Sequence, residues 1–173
     1  MTHRRILYFV LFAATQLLQA FLFNNLTLSV WFNPLIYVAF VALLPLETPH
    51  GLVLLGGLAA GFAADWFMGG AGINTIATVF AAFVRPFLLA LLFEKENIRE
   101  GGIPSSERLG RWGFLRYLAV FVLLHHFVFF ALEALSWARF GQTLLRVAVS
   151  GTAAVALTWL AARLFTSKLT VRV

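Results

Sequence analysis

Cysteine is absent from these 173 residues, methionine occurs twice, and there are only seven acidic side chains. The missing cysteines exclude a disulfide scaffold, although they say nothing about compartment. Charge is scarce too: 12% of residues are charged and 61% are hydrophobic, whereas soluble domains carry about 25% charged residues. A water-facing surface cannot be built from that stock, so a soluble enzyme and a disordered tail are both excluded. No charged residue occurs from Ile6 to Leu46, and only Asp65 and Arg85 interrupt Thr48 to Phe93. Runs of that kind are read as membrane spans, each needing about 20 residues to cross a hydrocarbon layer of ~30 Å.

What is present is apolar stretches with marked breaks. The sequence predicts an all-α integral membrane protein of six transmembrane helices in one domain, at 6–23, 32–46, 51–68, 72–93, 114–135 and 143–165. The breaks are Asn24-Asn25, Glu47 to His50, Gly69 to Gly72, the polar stretch 94–113, and Ser136 to Gln142. The second span is short and opens at Asn33-Pro34, where proline suits a first helical turn. It is expected to be tilted, broken or shielded by protein. With no small-residue cleavage site after it, the first span is expected to be a retained helix.

The formal charge of +6 does not point to nucleic acid. The basic residues are not gathered on one face with interleaved aromatics but stand at the ends of apolar stretches. With six spans, one side holds Arg4, Arg5, Lys95, Arg99, Arg108, Arg111, Arg116, Arg163, Lys168 and Arg172, and the other Arg139 and Arg146. Basic loops stay cytoplasmic. Both termini are therefore expected in the cytoplasm, with the loop from Asn24 to Trp31 and the glycine-rich turn outside. The stretch 94–113 is expected to be a cytoplasmic loop, either a solvated connector or a docking segment.

Ionisable groups within spans are functional candidates by default. Asp65 lies near the outer end of the third span, and the amides near Gly72 to Thr75 open the next helix. Those amides have no partner within their helix and carry partial positive charge. Asp65 is thus read first as a cap on the hairpin, with Asn74 or Thr75, and second as a proton, ion or substrate site. For a cap, asparagine is expected to replace it well. Arg85 precedes Pro86, which frees a carbonyl near Ala82. The arginine is expected to bond carbonyls and reach the inner interface, to line a polar cavity, or to meet a partner. No direct pair with Asp65 is expected.

Gly57 and Gly61 make a G-x-x-x-G pair for close helix packing, within the bundle before between copies. Gln16 and Gln19 share a face and are read as polar glue. His125 and His126 point about 100° apart on a helix, and no ligand follows at i+4, so no metal site is expected. Nucleophile, Walker and dinucleotide motifs are missing. No catalysis and no cofactor are expected.

The run Asn33-Pro34-Leu35-Ile36-Tyr37, then Leu44-Pro45, Gly61-Phe62-Ala63-Ala64-Asp65, Gly72-Ile73-Asn74 and Phe83-Val84-Arg85-Pro86 resembles the rod-shape-determining membrane protein MreD. The match covers roughly a third of the chain; the other spans resemble the family in length and hydropathy. The resemblance implies a non-catalytic inner-membrane subunit of the bacterial cell-elongation machinery. Its implied partners are an MreC-like membrane-anchored scaffold, MreB, peptidoglycan synthases and the lipid bilayer. It also implies a fold like the S component of energy-coupling-factor vitamin transporters. That likeness supplies the alternative, a small-molecule-binding transport subunit with an outer pocket lined by Asp65, Asn74, Thr75 and Glu133.

Overall fold

A computed structural model describes residues 2–25 and 31–170. The chain is all-helical among the described residues: α1 (Thr2–Leu17), continued by a π turn (Leu18–Leu22) and a 3-10 turn (Phe23–Asn25), α2 (Ala39–Ala42), α3 (His50–Met68), α4 (Ile73–Leu92), α5 (Lys95–Arg99), α6 (Ser106–Leu109), α7 (Arg111–Ala134) and α8 (Phe140–Thr170). Five of these stretches are long and apolar enough to cross a membrane: Arg5–Asn25, α3, α4, α7 and Phe140–Thr166. Large side chains such as Phe62, Trp66, Phe83 and Leu91 point out of the bundle. In water such faces would aggregate, whereas in a bilayer they meet acyl chains.

The expected helix at 32–46 is corrected. Only Ile36–Val38 (a 3-10 turn) and α2 are helical there. Pro34 lacks an amide hydrogen, and Leu35 has left the helical region at φ −93°, ψ 89°, so the helix starts late. Pro45 bounds it at the other end. All of Pro34 to Leu46 except Phe40 is buried. The five long helices therefore enclose a broken strip of chain in place of a sixth helix.

Of the other expected spans, the first starts earlier, at Thr2, the last runs longer, Phe140–Thr170, and α7 starts at Arg111, taking in the end of the expected polar loop, which also holds the short helices α5 and α6. That stretch is tied to the bundle by Leu46 N–H donating to Gly102 O at 2.8 Å and by buried Leu109.

Helices α3 and α4 form the tightest hairpin. Gly69 (φ 66°) and Gly72 (φ 89°) give the left-handed conformations its short turn requires. Gly57 and Gly61 face α4. A Cβ on Gly61 would stand 2.5 Å from Thr75 Cα, and one on Gly57 2.7 Å from Ala82 Cβ, so the pair serves packing inside the bundle.

Ring contact between Tyr8 and Phe165, 5.3 Å between centroids, puts the start of α1 beside the end of α8. The 93–110 connection joins that same end through Gly102 and Leu46. Arg5, Lys95, Arg99, Arg108, Arg111, Arg116 and Arg163 thus gather toward one end of the bundle, and Arg139 lies at the other. Arg172, and residues 26–30 of the expected outer loop, lie outside the described residues.

Candidate functional site

A backbone strip without regular helix leaves amides and carbonyls unpaired, and each such group buried in apolar surroundings is costly. The strip from Trp31 to Leu46 meets this cost with side chains from four surrounding helices. Ser150 of α8 accepts from Asn33 N–H at 2.9 Å and donates to Trp31 O at 2.8 Å. His126 Nε2 of α7 accepts from Leu35 N–H at 3.1 Å. Gln19, set on the π turn after α1, accepts from Ile36 N–H at 2.7 Å. Tyr117 donates to Ala42 O at 2.9 Å, and Tyr8 to Leu43 O at 3.1 Å.

Arg85 closes the series. Its guanidinium donates to Leu44 O, to Pro45 O at 3.4 Å and, through Nε, to the Tyr117 hydroxyl at 3.0 Å. It is 1% exposed. The carbonyls it bonds belong to the broken strip, not to the position near Ala82 that Pro86 was expected to free. It does not reach the interface by snorkelling.

The second part of the network starts at Asp65. Its backbone carbonyl accepts from Gly70 N–H at 3.0 Å and ends α3. Its carboxylate begins α4: Oδ1 takes Asn74 N–H (3.1 Å) and Asn74 Nδ2 (2.9 Å), and Oδ2 takes Thr75 N–H (2.8 Å) and Thr75 Oγ1 (2.5 Å). Gly72, the residue before the helix, has no side chain to cap it, so a carboxylate from the preceding helix does so. Four donors fill both oxygens and leave none for a ligand. The same geometry weighs against asparagine as a substitute: an amide has one acceptor oxygen, and its NH2 would face donors.

Asn74 passes the network inward. Its Oδ1 accepts from the Tyr37 hydroxyl at 3.0 Å, which lies 3.1 Å from His125 Nε2 and 3.2 Å from Thr78 Oγ1. Thr78 donates to Asn74 O at 2.7 Å. With the Tyr37 and Thr78 hydroxyl hydrogens directed at Asn74, a hydrogen on His125 Nε2 completes these contacts, and Nδ1 has no hydrogen-bond partner among the described residues. His126 has the opposite tautomer, because Nε2 accepts from Leu35 and Nδ1–H donates to Val122 O at 2.8 Å. The neighbouring rings thus serve different partners, and among the described residues no three His, Asp or Glu side chains assemble as a metal set.

Several expected residues stand apart. Glu133 pairs with Arg146 on the α7–α8 surface and is not bonded to Asp65. Gln16 donates to Ala60 O at 3.0 Å, apart from the strip. Asn33 and Pro34 belong to the strip itself.

Tyr8, Tyr37, Thr78, Tyr117 and Ser150 had not been singled out for a role. The signal for Thr78 was its place four residues after Asn74 and seven before Arg85, on one buried face of α4. Tyr117 stands eight residues before His125 on the buried stripe of α7. Tyr37 stands in the run that carries the resemblance, without a role of its own there, and Tyr8 and Ser150 carry no comparable local signal.

Comparison with protein families, with characterised proteins and with solved structures returns no match.

Proposed function

We propose that this chain is a non-catalytic membrane subunit that holds partner proteins, of the MreD kind, in the bacterial cell-elongation complex. The observation that supports the non-catalytic part is the bonding of the polar side chains around the strip and the hairpin, where Gln16 Oε1, Gln19 Nε2 and His125 Nδ1 are the atoms left without a partner among the described residues. Asp65, Asn74, Thr75, Arg85, Gln19 and His126 all bond the protein's own backbone or one another. A catalytic or transport site needs polar groups turned toward a substrate, whereas these are turned inward to keep an irregular strip in place. The cell-elongation part rests on the resemblance. Its residues coincide with the parts that shape the fold: Asn33-Pro34 and Pro45 flank the short helical part of the strip, Gly61, Asp65, Gly72 and Asn74 build the hairpin, and Arg85 clamps the strip's end.

In this reading the strip counts as a sixth crossing, in a six-span arrangement like that of the S component of vitamin transporters. The basic residues then put both termini in the cytoplasm of a bacterial inner membrane. An MreC-like scaffold is the direct partner, with MreB and peptidoglycan synthases reached through the complex. Copurification from native membranes tests this. Recovery of an MreC-like protein is the expected result, and recovery of a transport ATPase module without it would replace the reading with the transport alternative. Single cysteines at Glu96 and Ser136 should label from opposite sides. Labelling of Glu96→Cys from the periplasm would reverse the orientation.

A further inference from the structure

At the basic end of the bundle, the start of α6 and the last turns of α8 enclose a cavity of about 530 Å³. One wall carries Ser105, Ser106 and Glu107, and the other Leu160, Arg163 and Leu164. The Arg163 guanidinium carbon lies 4.0 Å from the Trp159 ring centroid, which holds the cation's plane. Among the described residues its N–H groups have no carboxylate within ion-pair reach, the ion pairs there being Arg108 with Glu100 and Arg146 with Glu133. Ser105 Oγ accepts from Arg108 N–H at 3.3 Å, which leaves its own hydrogen to donate. Leu160 and Leu164 are 49% and 60% exposed on the outward side of α8, where acyl chains would run.

The lining therefore offers a forked cation and hydroxyl donors for an anion, a carboxylate for a cation, and an apolar wall leading away. We propose that this cavity binds a phospholipid whose headgroup joins a phosphate to a primary ammonium, a phosphatidylethanolamine. Arg163 and the serines take the phosphate, where a planar fork matches two oxygens. Glu107 takes the ammonium, and the leucines take an acyl chain. A headgroup that is only anionic leaves Glu107 facing negative charge, and a phosphocholine gives it no N–H donor.

The test needs no partner protein and stands apart from the proposed function. The purified full chain in detergent is titrated with phosphatidylethanolamine, phosphatidylglycerol or phosphatidylcholine of identical acyl chains, and bound lipid is read by native mass spectrometry. Phosphatidylethanolamine is expected to bind most tightly. Arg163→Gln should weaken it about tenfold, the equivalent of 1.4 kcal/mol. Glu107→Gln, an exposed change that should leave folding intact, should bring phosphatidylethanolamine and phosphatidylglycerol to parity. Equal binding of the three lipids by the parent would overturn the proposal, as would a headgroup preference unchanged in Glu107→Gln. Soluble glycerophosphoethanolamine should fail to compete; full displacement by it would refute the acyl wall.

Discussion

Between Met68 and Ile73 the chain reverses with its backbone groups satisfied by neighbours in sequence, whereas between Trp31 and Leu46 they are satisfied from far along the chain. At the hairpin, Asp65 reaches only as far as Asn74 and Thr75. In the strip, Asn33 depends on Ser150, Leu35 on His126 and Leu44 on Arg85. The hairpin can form as soon as its two helices do. Tyr8, Gln19 and Arg85 supply some of its partners, but the set is complete only once α7 and α8 are in place, so its stability belongs to the assembled bundle. A membrane interior tolerates irregular backbone only where protein supplies the missing bonds.

The largest expected effect comes from removing the strip's clamp. Arg85→Leu leaves the Leu44 carbonyl and the Tyr117 hydroxyl short of a donor, and should cost about 4 kcal/mol. Hydrogen exchange should quicken at 35–46 while Asn74 and Thr75 amides stay protected. Equal loosening of the hairpin would erase the contrast between the two regions.

Asp65 tests the other side. Asp65→Leu strands four donors and should cost about 3 kcal/mol, and Asp65→Asn, which keeps one acceptor oxygen, about 2 kcal/mol. Thermal unfolding in detergent ranks the variants, with faster exchange expected at the start of α4. An asparagine variant as stable as the parent would show that one oxygen suffices for the cap.

The smallest effect is expected at the strip's periphery. Tyr8→Phe removes the hydroxyl's bond to Leu43 O and should cost about 1 kcal/mol. A loss as large as that of Arg85→Leu would mean that the strip is held as one cooperative unit rather than bond by bond.

Much of the hairpin was legible in the sequence because its signals are local. Gly57 and Gly61 one turn apart, glycines in the turn, and a carboxylate seven residues before Gly72, which precedes the next helix, all refer to nearby chain. Arg85 could be recognised as unusual, but not its partners: Leu44 and Tyr117 lie 41 and 32 residues away, and spacing carries no information about them. His125 and His126 read as a pair, yet they sit in the buried stripe of α7 and serve two different neighbours.

Composition alone determined that this chain resides among lipids, because 12% charged residues cannot coat a soluble surface. Hydrophobic run length determined the five long helices, since an apolar segment in lipid must satisfy its backbone internally. Only the tertiary structure decided the fate of 32–46. Its hydropathy matches that of a spanning helix, but Pro34 and Pro45 shorten the stretch available to one. Side chains from α1, α4, α7 and α8 then make the unwound form bearable by supplying the hydrogen bonds that water cannot.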